Sequence, residues 1–221
     1  MKLIFQTVIM TLLTVSAYAQ DSGTQTAEYR YVNRNGGYYV AKQEKPSAAF
    51  QLRTNILTDL ALSPSIGLEC QTNTGWAWQF DYAGAWWNSD NRHRYWSDYG
   101  FHTELRYYLR HDNLDSPYRG HHLGAYGWVL TYDFEFGGKG WQCANLANTF
   151  GFGLSYGYSL PLSRRWGMDF TIGIGYLQSR YTEYYPMFGK YIRTDDKKFN
   201  WTGPSKAEVS LVYNLNILNS K

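Results

Sequence analysis

The stretch of residues 76–87, WAWQFDYAGAWW, decides the fold class of this chain. Its large side chains occupy every second position, and alanine, glutamine and aspartate lie between most of them. Because side chains on a strand point to opposite faces in turn, the stretch predicts a strand with one aromatic face and one small, polar face. The same alternation returns at 150–160 and at 168–176, where glycine, serine, threonine and aspartate separate the large residues.

Alternating stretches follow one another from residue 50 onward and predict an all-β fold of eight antiparallel strands. The predicted strands span 50–59, 65–72, 76–87, 95–109, 122–135, 149–162, 167–181 and 206–217. The connections at 73–75 and 163–166 are short, and the one at 112–120, at the same end, is intermediate. At the other end, 60–64 is brief, whereas 87–95, 136–148 and 182–205 are long and rich in aromatic, glycine or charged residues. Short connections at one end and long ones at the other are typical of outer-membrane barrels.

The volume inside an eight-stranded barrel indicates which face meets water. Such a barrel has an interior just wide enough for side chains. A soluble, lipocalin-like barrel would place the tryptophans, phenylalanines and tyrosines of several strands inside and overfill it. The small, polar face fits the interior, so the bulky face points outward, and lipid is the solvent that tolerates such a surface. We therefore predict a closed transmembrane β-barrel with an aromatic-rich lipid face and a polar lumen.

The predicted inward face carries charges of both signs. They are Arg53, Glu69, Asp81, His102, Glu104, Arg106, Asp169, Lys206 and Glu208, with Gln79 among them. A narrow lumen that buries charges must pair them. We expect an interior ion-pair network and no open pore.

The beginning of the chain predicts export. Residues 1–19 combine a basic start, a short apolar run and an A-x-A cleavage site, which is typical of a signal peptide. Residues 20–48 are polar and predict a flexible periplasmic extension before a barrel over 49–218. Cys70 and Cys143 do not make a disulfide scaffold, and we expect no bridge between them. The formal net charge of +3 is too small to indicate nucleic-acid binding.

Six motifs resemble a family of uncharacterised small β-barrel proteins from Bacteroidota outer membranes. They are RTNIL (53–57), RHRYW (92–96), GHHLGAYG (120–127), YDFEFGGKG (132–140), YGYSLP (156–161) and GPSKAEVSL (203–211). Members of that family have no established activity and are often encoded near fimbria-type surface proteins. The resemblance implies a role in surface assembly and supplies no catalytic residues.

Candidate chemistry is sparse, so we predict no catalytic residue, no metal site and no cofactor. His121 and His122 are neighbours on a strand and point to opposite faces, so they cannot both bind one metal. His102, Glu104 and Arg106 share a face and suit an ion-pair ladder better than a catalytic base. The alternatives are a lipid-modifying barrel enzyme, acting on lipid A or phospholipid, and a narrow channel.

The long loops are the strongest candidates for recognition. They carry exposed aromatics and arginine, which favour contacts with protein partners or glycans. The candidate residues are Arg92, Trp141, Tyr184, Tyr185, Tyr191 and Trp201. We expect a monomeric, non-catalytic barrel in contact with outer-membrane lipids and lipopolysaccharide, with a surface or fimbrial protein as its partner.

Overall fold

A computed structural model describes residues 28–34, 37–43, 48–72, 74–89, 94–109, 120–136, 138–163, 165–187 and 190–215. The predicted signal peptide lies outside these residues. Part of the predicted extension forms a two-stranded antiparallel sheet of β1 (Glu28–Arg34) and β2 (Gly37–Gln43). No helix in the described part of the chain is both long and apolar enough to span a membrane.

The second sheet contains nine antiparallel strands; one helical turn follows its first strand, and a 3₁₀ turn at Leu146–Asn148 precedes the strand that begins at Thr149. In chain order they are β3 (Ala48–Asn55), α1 (Ile56–Leu60), β4 (Ser65–Thr72), β5 (Trp76–Ser89), β6 (Arg94–Tyr108), β7 (Gly120–Phe136), β8 (Gly140–Cys143), β9 (Thr149–Pro161), β10 (Trp166–Met187) and β11 (Lys190–Asn214). Eight of them close into a ring in the order β3, β4, β5, β6, β7, β9, β10, β11 and back to β3. The short β8 is inserted between β7 and β10 at one end.

The ring is uneven at one junction. β11 pairs with β10 over nearly its whole length, but it pairs with β3 only from Ser210 to Asn214. From Lys190 to Val209, β11 therefore has a paired neighbour on one side only, and we call the gap between this stretch and the β3–α1 segment the seam. Proline lacks the N–H that a central strand would need, so Pro204 is tolerated at this free edge.

Besides the short strand β8, which lies inside the connection predicted over 136–148, two predicted elements differ from the structure. The strand predicted over 50–59 ends at Asn55, whose side chain accepts a hydrogen bond from the Leu57 N–H and begins α1. The carboxylate of Asp59 then accepts hydrogen bonds from Thr54 and Ser65, which folds the chain back into β4. The predicted loop at 182–205 is also wrong, because most of it continues the β10–β11 hairpin.

The two faces of the ring have opposite character. Large apolar side chains point outward and stay exposed, among them Ile172, Ile174 and Leu154, each 66% exposed. In the opening stretch, Trp76, Tyr82 and Trp86 are exposed, whereas Ala77 and Gln79 are buried. The alternation predicted from sequence is thus confirmed in the structure, with the polar face inside.

Candidate functional site

Ten polar side chains meet inside the ring. The alternation of each strand brings them there from β3, β4, β5, β6, β10 and β11. We call this set the interior charge cluster: Arg53, Glu69, Gln79, Asp81, His102, Glu104, Arg106, Asp169, Lys206 and Glu208. These are the ten residues predicted to face inward.

Arg53 bridges four carboxylates from four different strands. Its guanidinium lies 2.5 Å from Glu69, 3.3 Å from Asp169 and 3.6 Å from Asp81. It also forms an ion pair with Glu208. One positive charge is therefore shared among several acids at the junction of β3 and β11, which is the shortest pairing between neighbouring strands of the ring.

Arg106 forms the second centre of the cluster and is fully buried. Its guanidinium contacts Glu104 at 3.0 Å and both Glu69 and Asp169 at 3.2 Å. Glu69 and Asp169 thus each bind both arginines. Because β6 neighbours neither β4 nor β10 in the ring, the bonds from Arg106 to Glu69 and Asp169 cross the interior and join non-adjacent strands.

Lys206 lies where a metal ion would otherwise fit. His102, Glu104 and Glu208 place one ligand atom each within 4.8 Å of one another, the kind of grouping that could hold a metal. The Lys206 ammonium lies among them, 2.9 Å from Glu208 and 3.1 Å from the His102 Nε2, and also bonds to Glu104. The other ring nitrogen of His102 lies 2.8 Å from Asp81. The site, which we call the Lys206 site, thus carries its own cation.

Several interior partners of the cluster were not predicted from the sequence. Tyr108 donates to Glu69 at 2.8 Å, and Ser159 donates to Asp169 at 2.5 Å. His122 is fully buried beside Thr171, whereas its neighbour His121 is exposed and lies 2.6 Å from the Tyr156 hydroxyl. The predicted opposite orientation of the two histidines is confirmed. Tyr108 could have been found from its spacing, two residues after Arg106 on the same strand face.

A cavity of about 300 Å³ adjoins the cluster on the side toward α1. Its polar lining includes Asp81, His102 and Lys206, and its apolar lining includes Trp128 and Leu130. Asn55 and Thr58 from the β3–α1 segment and Ser205 and Ala207 from β11 line the same space, so the cavity reaches the seam.

Comparison with protein families gives one match, described as "Protein of unknown function (DUF3575)", over residues 36–215. The chain belongs to this family. No curated protein matches it. The DUF3575 region contains every strand of the ring and the whole interior charge cluster. The predicted membership of an uncharacterised family is confirmed.

The residues predicted for recognition that the structure describes have different environments within the DUF3575 region. Arg92 and the side chain of Tyr191 lie outside the described residues. Tyr184 is only 6% exposed and donates a 2.6 Å hydrogen bond to Asp133, so its ring is part of the packed wall and is not displayed. Trp201 is exposed, and its indole N–H donates to the Pro204 carbonyl.

Trp141 and Tyr185 lie together around Lys139 at the long-loop end. The Lys139 Nζ lies 5.5 Å from the Trp141 ring centre and 5.9 Å from that of Tyr185. Glu183 binds Lys139 at 3.0 Å and Lys197 at 2.9 Å. The hydrogen bonds from Lys197 and Lys139 hold the pKa of the Glu183 carboxyl below its usual value, and the bond to Glu183 raises the pKa of Lys197.

A lipid-acting barrel enzyme would need a serine and a histidine near the outer leaflet, and the connection at 87–95 contains Ser89 and His93. His93 and the side chain of Ser89 lie outside the described residues. His102 and Glu104 are engaged in the Lys206 site. Both cysteines have free thiols, Cys143 buried on β8 and Cys70 half-buried on β4.

Proposed function

We propose that the chain is a small outer-membrane β-barrel protein with a sealed interior, which acts at the cell surface as a structural or interaction protein. The observation that carries the proposal is the inversion of its two faces. Buried charges fill the inside of the ring, and exposed aliphatic and aromatic side chains cover the outside. Soluble proteins rarely expose apolar surface on this scale, and a lipid environment removes its cost.

The lengths of six of the eight ring strands support a membrane setting. A tilted strand needs about 9–11 residues to cross a bilayer. β6 has 15 residues and β9 has 13, both sufficient, whereas β3 and β4 have eight each. The shortest part of the wall therefore adjoins the seam. As part of the proposal, the chain shares the setting that its motifs imply, the outer membrane of Bacteroidota.

The packing of the interior favours a sealed ring over a channel. A channel requires a continuous water path along the ring axis. Arg53, Arg106, Glu104 and Glu208 instead interlock across the interior, with side chains at most 5% exposed. An ion entering this layer would have to separate several buried charge pairs.

The long-loop end is the surface we assign to interaction. The β10–β11 hairpin continues past the point where β3 ends, and every described side chain from Ile192 to Thr202 is exposed. A tall hairpin with exposed aromatic and charged groups suits contact with a second surface protein. We therefore propose support of a fimbria-type surface assembly as the role of this end.

Localisation tests the membrane part of the proposal. The full chain, expressed with its leader, is expected in the outer-membrane fraction, and its gel migration is expected to change on boiling. Recovery in the soluble periplasmic fraction would overturn the proposal.

Extraction in mild detergent tests the surface role. A stoichiometric surface protein is expected to co-purify with the chain, and replacing the hairpin tip 184–194, between the paired Glu183 and Asp195, with a short turn should release that partner while leaving the ring folded. A lone protein recovered from crosslinked cells, with no partner, would refute the interaction role.

A further inference from the structure

The interior charge cluster is unbalanced in charge. It contains five carboxylates, on Glu69, Asp81, Glu104, Asp169 and Glu208, but only three permanent cations, on Arg53, Arg106 and Lys206. Buried charges without compensation are costly, so the interior favours an additional positive charge.

Asp81 is the acid that remains open to that additional charge. Its side chain is 20% exposed, whereas those of the other four acids are at most 5% exposed. The nearest permanent cation, Arg53, lies 3.6 Å away and divides its charge among three other carboxylates. Gln79 and His102 supply hydrogen bonds to Asp81 but no permanent charge. Asp81 lines the cavity of about 300 Å³.

The rest of the cavity suits an apolar group. Trp128 and Leu130 line one wall, and the volume of about 300 Å³ lies at the lower limit of ligand pockets. An aromatic ring beside an acid is the combination that recognises organic cations, because the ring face attracts positive charge. Trp128 therefore strengthens the preference of the cavity for a cation, which the Asp81 carboxylate already favours.

The seam provides a route of entry. In the part of β11 that precedes Ser210, the strand does not pair with β3, and residues from both sides of the seam line the cavity. Ala207 has an exposed side chain and lines the cavity as well, so the cavity reaches the outside of the ring at this point. Entry from lipid rests on the proposed membrane setting, whereas the binding preference rests on the cavity alone.

We propose that this cavity binds a small amphipathic amine, with its ammonium group beside Asp81 and its apolar part along Trp128 and Leu130. The ligand adds the positive charge that the cluster lacks. No bond is made or broken, and Lys206 keeps its two carboxylate partners.

Two probes with the same alkyl chain and opposite charge test the proposal. Calorimetric titration of the purified full chain in a nonionic detergent compares hexyltrimethylammonium with hexanoate. Saturable binding of the ammonium probe and none of hexanoate is expected. Equal or tighter binding of hexanoate would overturn the assignment of a cation, and no saturable binding of either probe would overturn the site.

Variants locate the binding and separate it from partition into detergent. Ala83→Phe fills the cavity, and Asp81→Asn removes the acid. Each change is expected to lower the affinity for the ammonium probe at least tenfold. Ala125→Phe, on the exposed outer face, is the matched control and should bind like the original chain. Unchanged binding in Ala83→Phe would refute the location. If gel migration shows that Asp81→Asn does not fold, binding to Ala83→Phe still tests the location of the site. Outer-membrane fractionation tests the proposed function independently of ligand binding.

Discussion

Arg106 offers the sharpest test of how the ring is held together. Its guanidinium lies 3.0–3.2 Å from three carboxylates, and at an effective dielectric constant of about 20 each contact supplies about 5 kcal/mol of Coulomb attraction. Most of this attraction is offset by the cost of burying the charges. Arg106→Met removes the attraction but leaves the acids buried, so we expect it to lower the free energy of unfolding by about 3–5 kcal/mol.

Chemical unfolding in detergent micelles, followed by tryptophan fluorescence, measures this loss. The exposed Arg165, whose guanidinium has one long contact at 3.5 Å to Tyr213, supplies the control Arg165→Met, with an expected change within about 0.5 kcal/mol. Adding Glu69→Gln to Arg106→Met should recover about 1–3 kcal/mol relative to the sum of the two single changes. A loss below about 1 kcal/mol for Arg106→Met, or additive single changes, would refute the view that these buried pairs stabilise the ring.

Three further predictions concern other parts of the chain. Lys206→Met removes the ammonium group from the Lys206 site, so added Zn²⁺ should raise the unfolding midpoint of this variant. The control Lys198→Met, at an exposed residue, should show no such rise. Equal responses of the two variants to Zn²⁺ would refute the metal-like geometry of the site. Tyr184→Phe removes the hydrogen bond to the Asp133 carboxylate and should lower the free energy of unfolding by about 1.5–3 kcal/mol. Chemical unfolding followed by tryptophan fluorescence measures this loss, and an unchanged free energy would mean that the bond does not stabilise the ring. Because the pKa of Glu183 is lowered by its two lysines, its stabilisation is present at neutral pH and is lost as pH falls through the folded-state pKa. The protection factors of amides in the β10–β11 hairpin, which correct hydrogen exchange for its intrinsic pH dependence, should therefore fall in acid, and Glu183→Gln should remove that fall.

The local alternation of the sequence was sufficient to predict the strands and the inward residues. β4 spans the predicted residues, and the inward face of β5 follows from the spacing of Ala77, Gln79 and Asp81. The face to which a strand residue points alternates from one residue to the next, so the sequence alone is sufficient to predict which residues share a face. The partners of Arg53 and Arg106 depend on which walls face each other after closure, which strand spacing does not specify.

The two mispredicted elements have separate physical reasons. α1 was missed because the alternating pattern of β3 continues through Ile56 and Thr58, while the hydrogen bonds that end the strand come from Asn55 and Asp59. Residues 190–205 of β11 were predicted as a loop because their charges and Gly203 are typical of a loop. Register with β10 makes it a strand, with a bulge between Gly173 and Ile174 that accommodates the irregularity.

The short junction of β3 with β11 also has a consequence for how the molecule assembles. It joins the first strand of the ring, at Gln51–Asn55, to the last, at Ser210–Asn214, so closure requires the most distant pairing along the chain. Such pairings carry the largest loop-closure entropy and form late. Every other neighbouring pair can zip from a connection nearby in sequence. A nascent chain lacking the segment after Val209 would therefore remain an open sheet with two unsatisfied edges, and the pairing of Ser210–Asn214 with β3 is the event that commits it to a ring.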